Sequence, residues 1–334
     1  MRRQWKVLTV SIAALVMNAG LASAQASAPS CGKRQSFSDF WSPGPMITPS
    51  ANTLPRKTWL YEPYVINERT SATHTNELGS LWYVFYGLTD KDEFGPILYF
   101  PYKLVRDQPS SPGVGMGDLI LKYMHRLTQE HKGGECSSRG LTLSPEVEVT
   151  IPTGSYDQLR RLSGARGAGA YTTALSLFSL RDVWLPNGRI LRLRVNLSWA
   201  VSSSVSVKGV SVYDPEEGFR GKAKPGSSRY GKGSLEYSLS RRSVLTFDST
   251  CTYNGNTRVT GRNILAPAST IRSTNLGHSV ALALAPAFGY SWANNLGVLV
   301  GVRIIPAGHN TAASITPVVA INLGPLGFGH HRAH

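Results

Sequence analysis

Beyond its first two dozen residues the chain has no run of about 18 apolar residues, which excludes helical transmembrane spans. Cysteine is scarce. Cys31, Cys136 and Cys251 are the only three in 334 residues, too few and too odd in number for a disulfide scaffold. There is no C-x-x-C pair of the kind that builds a structural zinc site, and no cofactor motif. There is no G-x-S-x-G elbow either, so the sequence predicts no enzyme. Acidic residues are in deficit, 20 against 35 Lys and Arg, a formal net charge of +15. Such a balance raises the question of nucleic acid. The cations do not cluster with aromatics, however. They fall in connections, at Arg160, Arg161, Arg166, Arg220, Lys222, Lys224 and Arg229.

The first 24 residues carry an export signal. Arg2, Arg3 and Lys6 precede a mainly apolar stretch, and Ala22-Ser23-Ala24 is an A-x-A cleavage site. The sequence therefore predicts a mature chain that starts at Gln25. Export argues against a nucleic-acid partner. It leaves a secreted or periplasmic protein, or a membrane β-barrel. The oxidising compartment also permits Cys31 and Cys136 to pair, although connectivity is not readable from sequence.

Residues 25–54 are rich in Ser, Pro, Ala and Gly and read as a flexible lead segment on the periplasmic side. After them strand signals dominate. In residues 189–201, Leu191, Leu193, Val195, Leu197 and Trp199 alternate with Arg192, Arg194, Asn196 and Ser198. Period-2 alternation puts the two sets on opposite faces of a sheet. Residues 232–240, 244–253 and 141–151 repeat the pattern. Counting such segments predicts about twelve strands, with ten or fourteen as alternatives, near residues 57–67, 80–88, 93–103, 115–127, 140–152, 169–180, 189–201, 230–240, 244–254, 277–290, 296–305 and 311–323.

Alternation alone does not separate a membrane barrel from a soluble sandwich. The connections do. Short ones (89–92, 241–243, 291–295) largely alternate with long ones (153–168, 202–229, 255–276), as a barrel with short periplasmic turns and long outer loops requires. Residues 128–139 are the exception, a long connection on the short side. The sequence thus predicts an all-β protein: a closed antiparallel up-and-down transmembrane β-barrel over residues 55–323, followed by a tail, 324–334. Its charged face would look inward, making Asp118, Lys122, Glu146, Glu148, Arg192, Arg194, Lys232, Glu236 and Asp248 the candidate pore lining. Trp59, Tyr61, Trp82, Tyr99, Tyr123, Trp199, Tyr237 and Trp292 are candidates for interfacial girdles. His330, His331 and His334 read as part of a disordered tail rather than a metal site.

Three motifs occur in order: Tyr86-Gly87-Leu88-Thr89-Asp90, Gly113-Val114-Gly115-Met116-Gly117-Asp118-Leu119, and Ile151-Pro152-Thr153-Gly154-Ser155-Tyr156-Asp157. With Ile315-Thr316-Pro317 they resemble the bacterial outer-membrane family named after the meta-pathway of phenol degradation, often labelled transporter. The resemblance spans residues 59–323. It implies a barrel in the Gram-negative outer membrane, inserted by the barrel-assembly machinery; the basic loop residues, for their part, suit either contact with anionic lipopolysaccharide or a solvated cationic surface. It also implies passive uptake of small molecules, aromatic or hydrophobic ones among them. The chain departs from the family where the last strand is followed by Gly324-Pro325-Leu326-Gly327-Phe328 instead of ending the protein. Two other functions stay open on the residues alone: a surface barrel without transport, and an outer-membrane lipid hydrolase that would need a Ser, a His and a carboxylate brought together.

Overall fold

A computed structural model describes residues 34–106, 109–128, 140–266 and 270–327. The expected export signal, Cys31, Cys136, most of the 128–139 connection, Phe328 and the tail histidines lie outside the described residues. Among the described residues no helix is long and apolar enough to cross a membrane.

Twelve antiparallel strands close into a barrel. In chain order they are β1 (Thr58–Thr70), β2 (Thr75–Gly87), β3 (Asp92–Val105), β4 (Leu119–His125), β5 (Thr142–Ile151), β6 (Thr172–Trp184), β7 (Ile190–Ser202), β10 (Ser228–Ser238), β11 (Ser243–Asn254), β14 (Ser279–Ala293), β15 (Leu296–Ile305) and β17 (Ser314–Gly327). Each pairs with its neighbour in sequence order, and β1 pairs with β17 to shut the ring. Closure gives every barrel strand a partner on both sides and leaves no edge strand. A short strand, β16 (Gly308–His309), adds to β14.

The strand count and order agree with the sequence expectation. Two ends differ. β1 and β2 run on to a tight connection at 71–74, where the sequence suggests a longer loop. Their outer ends pair Glu68 with Glu77, Arg69 with Asn76 and Thr70 with Thr75. These stretches are polar on both faces, so they show no alternation. β17 likewise continues to Gly327, with Trp59 opposite Leu326.

Apart from the tight connection at 71–74, the shortest turns gather at one end. At 185–189 the Leu185 amide donates to the Arg189 carbonyl, and Gly188 takes φ +79°, a conformation L side chains rarely adopt. The opposite end carries connections 106–118, 152–171, 203–227 and 255–278. Two of these hold a second sheet that the sequence reading leaves as loop: β8 (Val205–Lys208), β9 (Phe219–Lys224), β12 (Arg258–Asn263) and β13 (Arg272–Asn275). Its order matches that of β7, β10, β11 and β14 below it, so it continues the barrel wall past short breaks.

The side-chain distribution is inverted relative to a sandwich. Leu197 is 60% and Trp292 52% exposed on the outer surface, while Glu236 and Asp248 are 0% exposed inside. Val65, Trp82, Tyr123, Leu175, Phe247, Phe288, Val300 and Val319 continue the outer apolar surface around the ring. A contiguous apolar belt of this extent is not left facing water by monomeric soluble domains.

Candidate functional site: a threaded lumen

The lead segment is the main feature of the interior. Residues 35–54, read in sequence as flexible, run into the barrel from the short-turn end and back out to β1. At the rim, Gln35 donates its amide to Gly188 and Trp41 to Arg241. Further in, Ser42 Oγ donates to Glu236 Oε2 at 2.7 Å. The amides of Met46 and Thr48 donate to the two oxygens of Asp248, at 2.9 and 3.1 Å. Arg194 and Asn196 donate to the carbonyls of Thr48 and Pro49 at 3.1 and 3.0 Å, and Ser144 to that of Ala51 at 2.5 Å. On the way out, the Leu54 amide meets Glu93 at 3.1 Å.

Apolar packing reinforces these bonds. Met46 lies among Tyr64, Ala285, Ala287, Leu299, Val318 and Ala320, on the wall of β14, β15, β17 and β1 that begins beside Asp248's own strand β11. Ala51 packs with Met124, Phe178 and Leu180, Phe40 with Ile190 and Val244, and Leu54 with Phe85 and Ile97. Burial of one large apolar side chain stabilises by roughly 1.5–3 kcal/mol. The segment therefore belongs to the fold. Proline and serine keep it from pairing as a strand, and the lumen carboxylates supply the acceptors that its unpaired amides need.

Of the nine sequence candidates, the structure gathers six around this segment. Arg194 Nε donates to Glu236 Oε1 at 2.6 Å. Lys122 Nζ sits 3.0 Å from Glu146 and 3.6 Å from Glu93, with the Phe85 ring 4.4 Å away. Arg192 pairs through Nε with Asp182 at 2.7 Å and lies over the Phe40 ring. With Asp248 these buried charges form compensated groups rather than isolated ones, as a low-dielectric interior requires. Glu148 and Lys232 are different. They are half-buried on the long-loop side of the segment and make no ion pair among the described residues.

Asp118 sits just before β4, at the base of a loop. Its two oxygens accept the amides of Gly154 and Ala168, at 2.9 and 2.8 Å. Two of the sequence motifs thus meet at one carboxylate, and Thr153 Oγ1 completes the joint by donating to Gly117. The remaining motif also meets the lead segment: Asp90 accepts from Thr53 Oγ1 through its carbonyl and from the Arg56 amide through its carboxylate.

The sequence reading missed Glu93, Asp182 and Glu62, the last bonded to Asn322 Nδ2 at 2.6 Å. Each sits at an alternating position of its strand, which was the available signal. Tyr99 is also corrected. It turns into the lumen and donates to Glu77 at 2.6 Å instead of joining an outer girdle. His125 Nδ1 lies 2.7 Å from Asp92, whose carboxylate also accepts from Tyr123 and Thr89. Among the described residues no serine enters that group, and His278 stacks on Tyr253 and His309. Among the described residues no set of three or more His, Cys, Asp or Glu is placed to hold a metal ion.

No protein-family model and no curated protein matches the chain in sequence. In structure it is similar to an outer membrane channel from Pseudomonas putida F1, with a TM-score of 0.59 and 14% identity over 83% of this chain and 99% of that one. The chain shares that barrel fold. The β domain of the Bordetella autotransporter BrkA overlaps with a TM-score of 0.41 at 12% identity, over 80% of this chain and 98% of that one. The Pseudomonas putida toluene transporter TodX overlaps with 0.37 at 11% identity, over 84% and 99%.

Proposed function

We propose that the chain is a Gram-negative outer-membrane barrel that passes small molecules passively, with residues 35–54 as its constriction. One observation carries the reading: buried charge inside a closed twelve-strand ring whose outer surface is an exposed apolar belt. Only a hydrocarbon surround makes that distribution stable. The export signal in residues 1–24 and delivery by the barrel-assembly machinery belong to the same reading, as does a lipid environment that includes lipopolysaccharide. Glu148 and Lys232 supply unpaired charge to the pore on the loop side. Small aromatic or hydrophobic compounds are the solute class that the motif resemblance favours. The Pseudomonas putida channel, which shares the fold, supports passage as the function.

A second reading, a barrel without transport, draws on the same threaded segment, because it bridges the lumen from Asp248 on β11 to Glu93 on β3. Planar-bilayer recording separates the two. The full chain is expected to conduct, and deletion of residues 36–50 to raise the conductance several-fold. Should the deletion fail to fold, Asp248→Asn serves in its place. Silence from both the parent and a folded variant removes the channel reading and leaves the surface barrel.

A further inference from the structure

The sheet above the barrel rim has two unlike faces. Val205, Val207, Phe219, Ala223 and Val259 pack one face against Tyr156 and Tyr213. The other presents Lys208, Arg220, Lys222, Lys224, Arg258 and Arg262, all exposed. The register sets like charges directly opposite one another: Lys208 with Arg220, Arg220 with Arg262, and Lys224 with Arg258. Like charges in directly opposed positions destabilise a sheet. None of the six forms an ion pair among the described residues. Arg272 gives the internal contrast. It lies over the Phe219 ring, on the packed side, and has two carboxylates of its own, Asp214 at 2.7 Å and Glu216 at 2.8 Å. The protein thus neutralises a cation on the packed side and leaves six unneutralised on the open face.

The open face turns away from the barrel axis. Tyr213 donates its hydroxyl to the Ala168 carbonyl, and the Ala168 amide donates to Asp118. Asp118 is in phase with the lumen-facing Lys122, so the packed side of the sheet lies toward the mouth. Height is set by the chain. Tyr171, Trp199 and Tyr253 are exposed near the loop-side ends of the barrel strands, where interfacial aromatics belong. The sheet begins a few residues later, within about 20 Å of extended chain. Its cations repeat about 5 Å apart across strands and about 7 Å along them.

We propose that this open face binds the phosphate and carboxylate groups of the lipopolysaccharide saccharides around the barrel. The inference rests on the outer-membrane placement argued above. A polyanion that meets several cations at once relieves the like-charge opposition built into the sheet. An anionic solute bound for the pore would instead need the cations on the mouth side.

The test uses the full chain folded in detergent and purified rough-type lipopolysaccharide with core phosphates, compared with the same glycolipid after chemical dephosphorylation. The phosphorylated form is expected to bind more tightly, with an affinity that falls as salt rises. Combining Arg220→Gln, Lys222→Gln, Lys224→Gln and Arg258→Gln is expected to weaken that binding roughly tenfold or more. The melting temperature of this variant should equal or exceed the parent's, because opposed cations are removed. Equal affinity of parent and variant, or of the two glycolipids, overturns the proposal. So does a variant that keeps its glycolipid affinity and loses only anion transfer in a bilayer, which would assign the face to solute capture. Failure of the parent to insert into vesicles would sink the membrane reading itself. Absence of conductance from an inserted barrel that still binds the glycolipid would sink only the channel.

Discussion

The carboxylate of Asp248 holds the backbone amide of Met46 at 2.9 Å, across 202 residues of sequence. Its other oxygen takes the Thr48 amide, so one side chain fixes the innermost stretch of the threaded segment. Asp248→Asn keeps the size but leaves a single acceptor oxygen. One buried donor then lacks a strong partner, which costs about 1–3 kcal/mol. The expected outcome is a lower unfolding midpoint in heat-modifiability gels and larger, noisier single-channel currents. Met46→Ala should act in the same direction through lost packing, at about 2–5 kcal/mol. Unchanged currents in both variants would show that the segment does not limit flow.

Lys122 is the shared partner of Glu93 and Glu146, and all three are buried. Lys122→Met removes the only cation, among the described residues, within ion-pair distance of either carboxylate and is expected to destabilise by about 3–5 kcal/mol. Adding Glu93→Gln and Glu146→Gln should restore much of that loss, because no unpaired charge remains. The comparison is made by denaturant unfolding of the folded barrel. If the triple variant is no more stable than the single one, the site is held by packing on Phe85 and not by charge compensation.

Much of the barrel was legible because lipid on one side and charge on the other impose a strict period of two, as in Leu193, Arg194, Val195 and Asn196. The ends of β1 and β2 were not legible, since Glu68, Arg69, Asn76 and Glu77 stand beyond the apolar belt and no longer alternate. The upper sheet hid for another reason. Val205-Ser206-Val207-Lys208 and Phe219-Arg220-Gly221-Lys222 do alternate, but over four to six residues interrupted by glycine they look like loop. Composition placed the lead segment on the periplasmic side as a flexible stretch, not inside the barrel. Proline, serine and glycine mark a chain that forms no regular element, and whether it stays free depends on distant acceptors such as Asp248 and Glu236. Those same residues were found as lumen charges. Their role in holding residues 35–54 required the tertiary fold.

Glu148 and Lys232 make no ion pair among the described residues, although Glu148 stands opposite Lys122 in the β4–β5 register, and both are half-buried on the loop side of the segment. Charges that line a pore without a partner set the field an ion meets. Lys232→Gln is expected to shift the reversal potential toward cation preference, and Glu148→Gln toward anion preference. Neither should change heat-modifiable folding. Arg192→Ala and Arg194→Ala provide the contrast. Each removes a guanidinium that is bonded to a buried carboxylate, Asp182 or Glu236, so each should lower stability as well as alter selectivity. A shift for Arg192 and Arg194 variants without loss of stability, or no shift for Lys232 and Glu148, would reverse this division of roles.

Glu216 ties the 209–218 connection to the upper sheet. It accepts from Asn263 Nδ2 at 2.8 Å and pairs with Arg272 at 2.8 Å. The hydrogen bonds from Asn263 and Arg272 hold its carboxyl below the usual carboxylate range. A folded pKa lower than the unfolded one means that the contribution to stability is fully present above the ordinary glutamate value. It is lost as pH falls through the depressed value. Acidification from neutral pH into the range below about 4 should therefore loosen residues 209–218 while the barrel strands keep their protection. Amide hydrogen exchange followed by mass spectrometry reads this directly. Glu216→Gln should already exchange faster there at neutral pH and show a smaller acid response. An acid response of the parent that persists unchanged in Glu216→Gln would place the titrating group elsewhere, with Asp214, the other partner of Arg272, next to be replaced.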